Sequence, residues 1–216
     1  MLAVCAHPDD ESFGLGAVLH AFVARGAEVS VLCFTFGEAS TLGMAQGDLR
    51  GIRKSEMNAA AERLGLRHVQ VSGHPDGHLG KVPLERLARE VGSMARSVAA
   101  QLLVVFDEGG VTGHPDHARA TLAALVGAPE LPVLAWTVPV AVARGLEEEL
   151  GARFVGRHHD EIDIAVRVDR GAQKEAIACH ASQSSDNPVL WRRLDLTGDQ
   201  EWLRWLRRPD QATGRP

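Results

Sequence analysis

Residues 2–11 read LAVCAHPDDE, an apolar run that gives way at once to an imidazole and a cluster of carboxylates. Residues 2–6 show no polar alternation, the pattern of a strand buried on both faces of a parallel sheet. A side chain placed just after such a strand stands at the sheet's carboxyl edge, where open α/β sheets build their sites. The tripeptide His-Pro-Asp occurs twice more, at His74-Pro75-Asp76 and His114-Pro115-Asp116, each time beyond a short apolar stretch. Asp10 extends the first copy and His117 the last.

Outward from this stretch, strand and helix patterns alternate. Residues 10–25 carry helical periodicity through Leu15, Val18, Leu19 and Phe22, with Gly26 placed as a C-cap. Strands are expected at 29–34, 68–71, 101–106 and 133–138, and helices at 52–64, 82–99 and 114–126. The Gly-rich polar stretch 35–50 reads as an active-site lid. Beyond 140 the pattern weakens, with a strand expected within 161–168 and a helix over 170–180. Trp191, Trp202 and Trp205, set among arginines, read as a surface helix packing its indoles on the body, or as an oligomer contact. The expected architecture is α/β: a Rossmann-like, doubly wound, mostly parallel sheet with helices on both faces. Residues 1–216 read as one domain, and 140–216 as a less regular portion contributing to the substrate rim.

A chain of 216 residues buries a full core without staples. Its net charge of −5 argues against nucleic acid as a partner. Cys5, Cys33 and Cys179 are odd in number and lack CxxC spacing, which suits reduced thiols and a cytoplasmic protein. No apolar run approaches a membrane span, and no leader pattern precedes the first strand.

In a sheet of order 3-2-1-4-5 the loops after strands 1 and 4 face each other, so the first and last motifs form the metal pair and Asp76 a substrate contact. His7, Asp10 and His117 give the two imidazoles and one carboxylate of a catalytic zinc site. Asp9 is then the candidate base, and His114 an acid or, if protonated, the stabiliser of the oxyanion, with Asp116 orienting its ring. The same ligands suit Fe2+, as in oxygenase facial triads, although those sites usually sit on β-barrels. His20, His68, His158 and His159 read as ordinary histidines. A non-catalytic sugar- or nucleotide-binding module is disfavoured. Gly14-x-Gly16 falls short of GxGxxG, and the acidic residues at 9–11 would repel a pyrophosphate.

These residues resemble the LmbE-like, PIG-L-type N-acetylglucosaminyl deacetylases. The resemblance rests on Ala6-His7-Pro8-Asp9-Asp10-Glu11 and His114-Pro115-Asp116-His117. Gly37-Glu38, Arg53-x-x-Glu56, Asp76-Gly77-x-Leu79, Lys174 and His180-Ala181-Ser182-Gln183 add to it. It implies zinc-dependent removal of acetyl from an N-acetylated sugar amine, with His7, Asp10 and His117 on zinc, Asp9 as base and His114 at the oxyanion. It also implies substrate contacts from Arg53 and Asp76, with Glu38 as a neighbour, and a homo-oligomeric enzyme acting on a small molecule. Another small amide or ester is the alternative substrate. One departure stands out: some members carry a Tyr two residues before the first His of the second motif, and here that position is Thr112 in a chain without Tyr.

Overall fold

The computed structural model describes residues 1–42 and 47–209. The chain runs β1 (Leu2–Cys5), α1 (Asp10–Phe13), α2 (Gly16–Val23), β2 (Ser30–Thr35), α3 (Leu49–Leu64), β3 (His68–His74) and α4 (Leu84–Ser97). It continues through β4 (Leu103–Phe106), α5 (Pro115–Gly127), β5 (Val133–Thr137), α6 (Val140–Leu150) and β6 (Ile164–Arg167). The last elements are α7 (Gly171–Cys179), α8 (Ala181–Ser184), α9 (Pro188–Thr197) and β7 (Gln200–Arg207). The sheet has seven strands in the order β3-β2-β1-β4-β5-β7-β6, parallel as far as β5 and antiparallel where β7 pairs with β5 and β6.

The apolar runs become central strands because each buries both faces. Along β1, Ala3 and Cys5 join one core with Val31, Cys33, Val104 and Leu134. Leu2 and Val4 join the opposite core with Leu32, Phe34, Leu103, Val105 and Val133. That is the period of two expected of a pleated strand with helices above and below. Leu15, Leu19, Met57, Val142 and Leu146 cover the first face; Leu87, Val91, Met94, Ala120 and Ala124 cover the second.

The structure corrects the reading in three places. The helix expected over 10–25 is two helices, broken around Gly14, which packs so tightly on Phe106 that a Cβ there would come within 2.6 Å of Phe106 Cζ. A regular helix, α6, forms at 140–150, where the pattern had faded. Trp202 and Trp205 lie in strand β7 rather than in a helix; Leu203 pairs with Trp136 and Trp205 with Leu134. The alternation of Glu201 and Leu203 (inward) with Trp202 and Arg204 is strand-like, and the surrounding charges obscured it. Of the expected lid at 35–50, residues 43–46 lie outside the described residues. Among the described residues no helix is long and apolar enough to cross a membrane.

Candidate metal centre and pocket

The turn after β1 is held by its own carboxylates. Asp10 Oδ2 accepts hydrogen bonds from the backbone N–H of Ala6 (3.0 Å) and of His7 (2.9 Å), which leaves Oδ1 facing outward. Asp9 sits at φ 122°, a strained conformation for a side-chain-bearing residue. Two side chains hold it there, and a further pair steadies the first of them. Its N–H donates to Glu11 Oε2 at 2.9 Å. The guanidinium of Arg53, on α3, donates to Asp9 Oδ2 at 2.7 Å and also to Pro8 O and, at 2.6 Å, to Gly37 O. Glu11, wholly buried, is matched by His180 Nε2 at 2.7 Å and by the Ser12 hydroxyl at 2.6 Å.

The facing wall follows β4. His114 caps α5 with Pro115 in the first turn, which leaves Asp116 and His117 in that turn and pointing back at β1. His117 Nδ1 lies 3.0 Å from Gly110 O and 3.0 Å from the Thr112 hydroxyl. Donation to the carbonyl assigns the proton to Nδ1 and frees the Nε2 lone pair, the way backbone oxygens fix metal-binding histidines. That Nε2 lies 3.1 Å from His7 Nδ1 and 3.0 Å from Asp10 Oδ1, and His7 Nδ1 lies 3.8 Å from Asp10 Oδ2.

These separations suit a metal. Ligands bonded to a tetrahedral zinc ion at about 2.0–2.1 Å stand about 3.3 Å apart. His7 Nε2 and Asp116 Oδ2 are buried without a hydrogen-bond partner among the described residues. Nε2 is 3.0 Å from Asp76 Oδ1 and 3.7 Å from Asp116 Oδ2, close enough for charge to act but not aligned for a hydrogen bond. Burial alone would push the His7 pKa down; Asp116, Asp76 and Asp10 outweigh it and raise it to about 10. An environment that favours one positive charge so strongly also favours a divalent cation. Burial likewise works to raise Asp10, but His117 and His7 hold its carboxyl well below the usual range. Two overlapping groups, His7 with His114 and His117, and His7 with Asp76 and Asp116, also bring ligand atoms within 4.8 Å, so His7 is the hub of the cluster.

Asp9 lines the cavity beside this cluster; burial, opposed by Arg53, raises its pKa to about 6. His114 Nδ1 accepts from the backbone N–H of Asp116 at 3.2 Å, so its proton sits on Nε2. Burial, helped by His7 and His117, lowers the His114 pKa, which favours a neutral ring donating through Nε2. The Asp116 carboxylate does not orient that ring: Oδ1 accepts from Leu79 N–H at 3.0 Å and Oδ2 faces His7. Arg53 and Asp76 both line the cavity, although Arg53 is 3% exposed and both its terminal nitrogens are bound, to Gly37 O, Pro8 O and Asp9. Asp76 Oδ2 accepts from Ala39 N–H at 2.8 Å. Glu38 lies outside the lining, near Asp76 N (3.5 Å) and Arg50 (3.8 Å).

Sequence reasoning quoted Glu11 and His180 but not their pairing, which joins positions 169 apart. It also missed the brace in the cavity wall. Arg193 stacks over Trp136 at 5.2 Å and donates to Phe13 O, while Trp136 Nε1 donates to buried Glu201 at 2.7 Å. Only the inward position of Glu201 in a strand would have signalled it.

Fold and site together define a class, an open α/β sheet whose carboxyl edge carries a His/Asp cluster fit for a divalent ion. The chain belongs to the PIG-L family, described as GlcNAc-PI de-N-acetylase, whose model matches residues 2–128. It is 32% identical to the 1D-myo-inositol 2-acetamido-2-deoxy-alpha-D-glucopyranoside deacetylase of Mycolicibacterium smegmatis, over 87% of this chain and 81% of that protein. It is 28% identical to a probable N-acetyl-alpha-D-glucosaminyl L-malate deacetylase 2 of Bacillus anthracis, over 96% and 92%. Among solved structures, the N,N'-diacetylchitobiose deacetylase of Pyrococcus horikoshii superposes with a TM-score of 0.68 at 20% identity, over 95% of this chain and 83% of that one. GalB, a 4-carboxy-2-hydroxymuconate hydratase of Pseudomonas putida, matches with the same TM-score at 16% identity over 95% of each chain. At such identities the likeness is one of fold, and the reaction must be argued from the site.

Proposed function

We propose that this protein is a zinc-dependent N-deacetylase acting on an N-acetylglucosamine-type amine. The observation that carries the reading is the convergence of His7, Asp10 and His117, 3.0–3.8 Å apart, in a cavity of about 490 Å³ that also exposes Asp9 and His114. Two nitrogens and one oxygen suit zinc and accept Fe2+. A divalent ion held there acidifies water and polarises an amide oxygen.

The chain's own groups do the rest. Asp9, aimed by Arg53, takes the proton of the attacking water as its oxygen bonds to the carbonyl carbon. His114 Nε2–H donates to the oxygen on which charge develops. Asp9 then returns the proton to the amine nitrogen as the C–N bond breaks, giving a free amine and acetate. Asp76 and Asp116 favour a protonated His7 Nε2, which directs Nδ1 at the ion. Asp76, at the cavity surface, also offers an acceptor to a sugar hydroxyl.

We read residues 1–216 as one domain whose portion after 140 supplies rim residues such as Gln183 and Asn187. The reading includes a reducing, cytoplasmic setting, consistent with three free cysteines, and a homo-oligomer. Amine release from N-acetylglucosamine conjugates of inositol, malate and a second sugar tests the reaction. Asp9→Asn should lower kcat by about 10²–10⁴ with metal content unchanged. Full activity in that variant would remove Asp9 from the role, and no release from any conjugate by metal-loaded enzyme would overturn the substrate class.

A further inference from the structure

The cavity has two chemically different sides, and the sheet order sets them apart. Strands β2 and β3 lie on one side of β1, and β4 and β5 on the other. On the β2/β3 side the lining is mostly polar and cross-linked, Leu42 apart. Asp76 binds Ala39 N–H, the Ser40 hydroxyl donates to Gln183 Oε1 at 2.6 Å, and Asn187 donates to Gln183 O at 3.2 Å. Such a wall suits a hydroxyl-rich sugar.

On the β4/β5 side the lining is mostly apolar and begins at the metal cluster itself, its polar members being Thr112 beside His117 and the Arg193 guanidinium stacked on Trp136. The Phe106 ring lies 4.6 Å from that of His117, and Trp136 stands edge-to-face on Phe106 at 5.0 Å. Phe154 and Val189 pack on the same cluster and line the cavity beyond them, with Phe13 and Leu190 closing the side. A metal-held carbonyl between β1 and β4 therefore has hydrogen-bonding groups toward its amine and hydrocarbon toward its acyl substituent. Phe106 packs on His117, and Trp136, Phe154 and Val189 extend the hydrocarbon from it.

The geometry points to an acyl arm: the β4/β5 side of the cavity takes the acyl chain of the substrate, and the enzyme prefers N-acyl amino sugars with chains longer than acetyl. This deepens the amide-hydrolase reading and rests on it. Each methylene moved from water onto this wall is worth about 0.8 kcal/mol, or about fourfold in kcat/KM, until the arm is full.

The test is a series of N-acetyl-, N-butanoyl-, N-hexanoyl- and N-octanoyl-glucosamine, with octyl N-acetylglucosaminide as the control that carries the same hydrocarbon on the other side of the amide. The expected result is kcat/KM rising about 16-fold per two-methylene step along the acyl series until the arm is full, with little gain for the octyl glycoside. Val189→Phe and Val189→Trp, which narrow the arm to different degrees, should compress the octanoyl-to-acetyl ratio in that order. A flat or falling acyl series, or a gain that follows the octyl glycoside instead, overturns the arm while leaving deacetylation standing. If no amide is cleaved, the hydrolase reading fails, and calorimetry decides the arm separately. Tighter binding of N-octanoyl- than N-acetylglucosamine to zinc-loaded protein supports it, and equal affinities overturn it.

Discussion

Replacing His180 with Ala should cost more stability than any surface change. The His180 ring and the Glu11 carboxylate are both wholly buried, 2.7 Å apart. Removing the imidazole leaves Glu11 ionised in the interior, with only Ser12 Oγ and Asp9 N–H as donors. Breaking one side of a buried ion pair costs about 3–5 kcal/mol, a large part of the 5–15 kcal/mol typical of a whole domain. Glu11→Gln removes the charge but can still accept from Asp9 N–H, so it should cost less, about 1–3 kcal/mol. The double variant should then lose about 1–3 kcal/mol less than the sum of the two singles. Urea titration with linear extrapolation measures all four corners. The coupling should also depend on pH. Burial opposes the charge on each partner, but Glu11 raises the His180 pKa above 6.5 and His180 lowers that of Glu11 below 4.5. The histidine's contribution is therefore complete below pH 6.5 and lost as pH rises through its folded value. The glutamate's is complete above pH 4.5 and lost as pH falls through its own. Coupling should peak between those limits. A loss under about 1 kcal/mol for His180→Ala, with strict additivity, would refute the reasoning.

Three further outcomes are expected. Chelator-stripped protein should regain one zinc per chain and about 2.7 kcal/mol of stability at 100 times the dissociation constant, measured by thermal unfolding, and His7→Ala should abolish most of that gain. Gly37→Ala should destabilise by about 1–3 kcal/mol and depress activity, because φ is +65° there and the new Cβ would fall 2.0 Å from Arg53 Nη1, displacing the group that holds Asp9. Trp136→Phe should keep the ring packing yet cost about 1–3 kcal/mol in urea unfolding, since it removes the indole donor from buried Glu201.

The sequence was most legible where a residue's environment is set by its own neighbours in the chain. LAVCA, VSVLCF and QLLVVF read as central strands because burial on both faces leaves no polar alternation. Strand–helix alternation points to the doubly wound class, and the 3-2-1-4-5 order assumed for that class, which brings His7 toward His117, is the order the sheet has. What escaped depends on partners distant in sequence. Residues 140–150 meet α9 through Gly145 against Leu196 and the Glu149–Arg192 ion pair, and β7 hides its alternation under arginines. At the site, the motifs named which residues gather but not which way they turn. Asp116 faces His7 because α5 starts at Pro115 and its first turn points back at β1. Arg53 is consumed by the Asp9 turn because Gly37 O and Pro8 O converge on it from other elements. His74 leaves the site altogether and binds Glu90 at 2.9 Å, although its motif is the same tripeptide.

The Glu11–His180 latch also sets an order of events in synthesis. At about 5–20 residues per second, His180 is added roughly 8–34 s after Glu11. Throughout that interval the first five strands of the sheet can be made, yet the turn bearing Asp9 and Asp10 lacks the partner that neutralises the carboxylate beneath it. The first motif is thus the earliest part of the centre to be made and among the last to set, and cation capture waits until the chain has reached His180. Truncations ending before His180 should emerge with the sheet's parallel half formed and the centre unable to retain its ion.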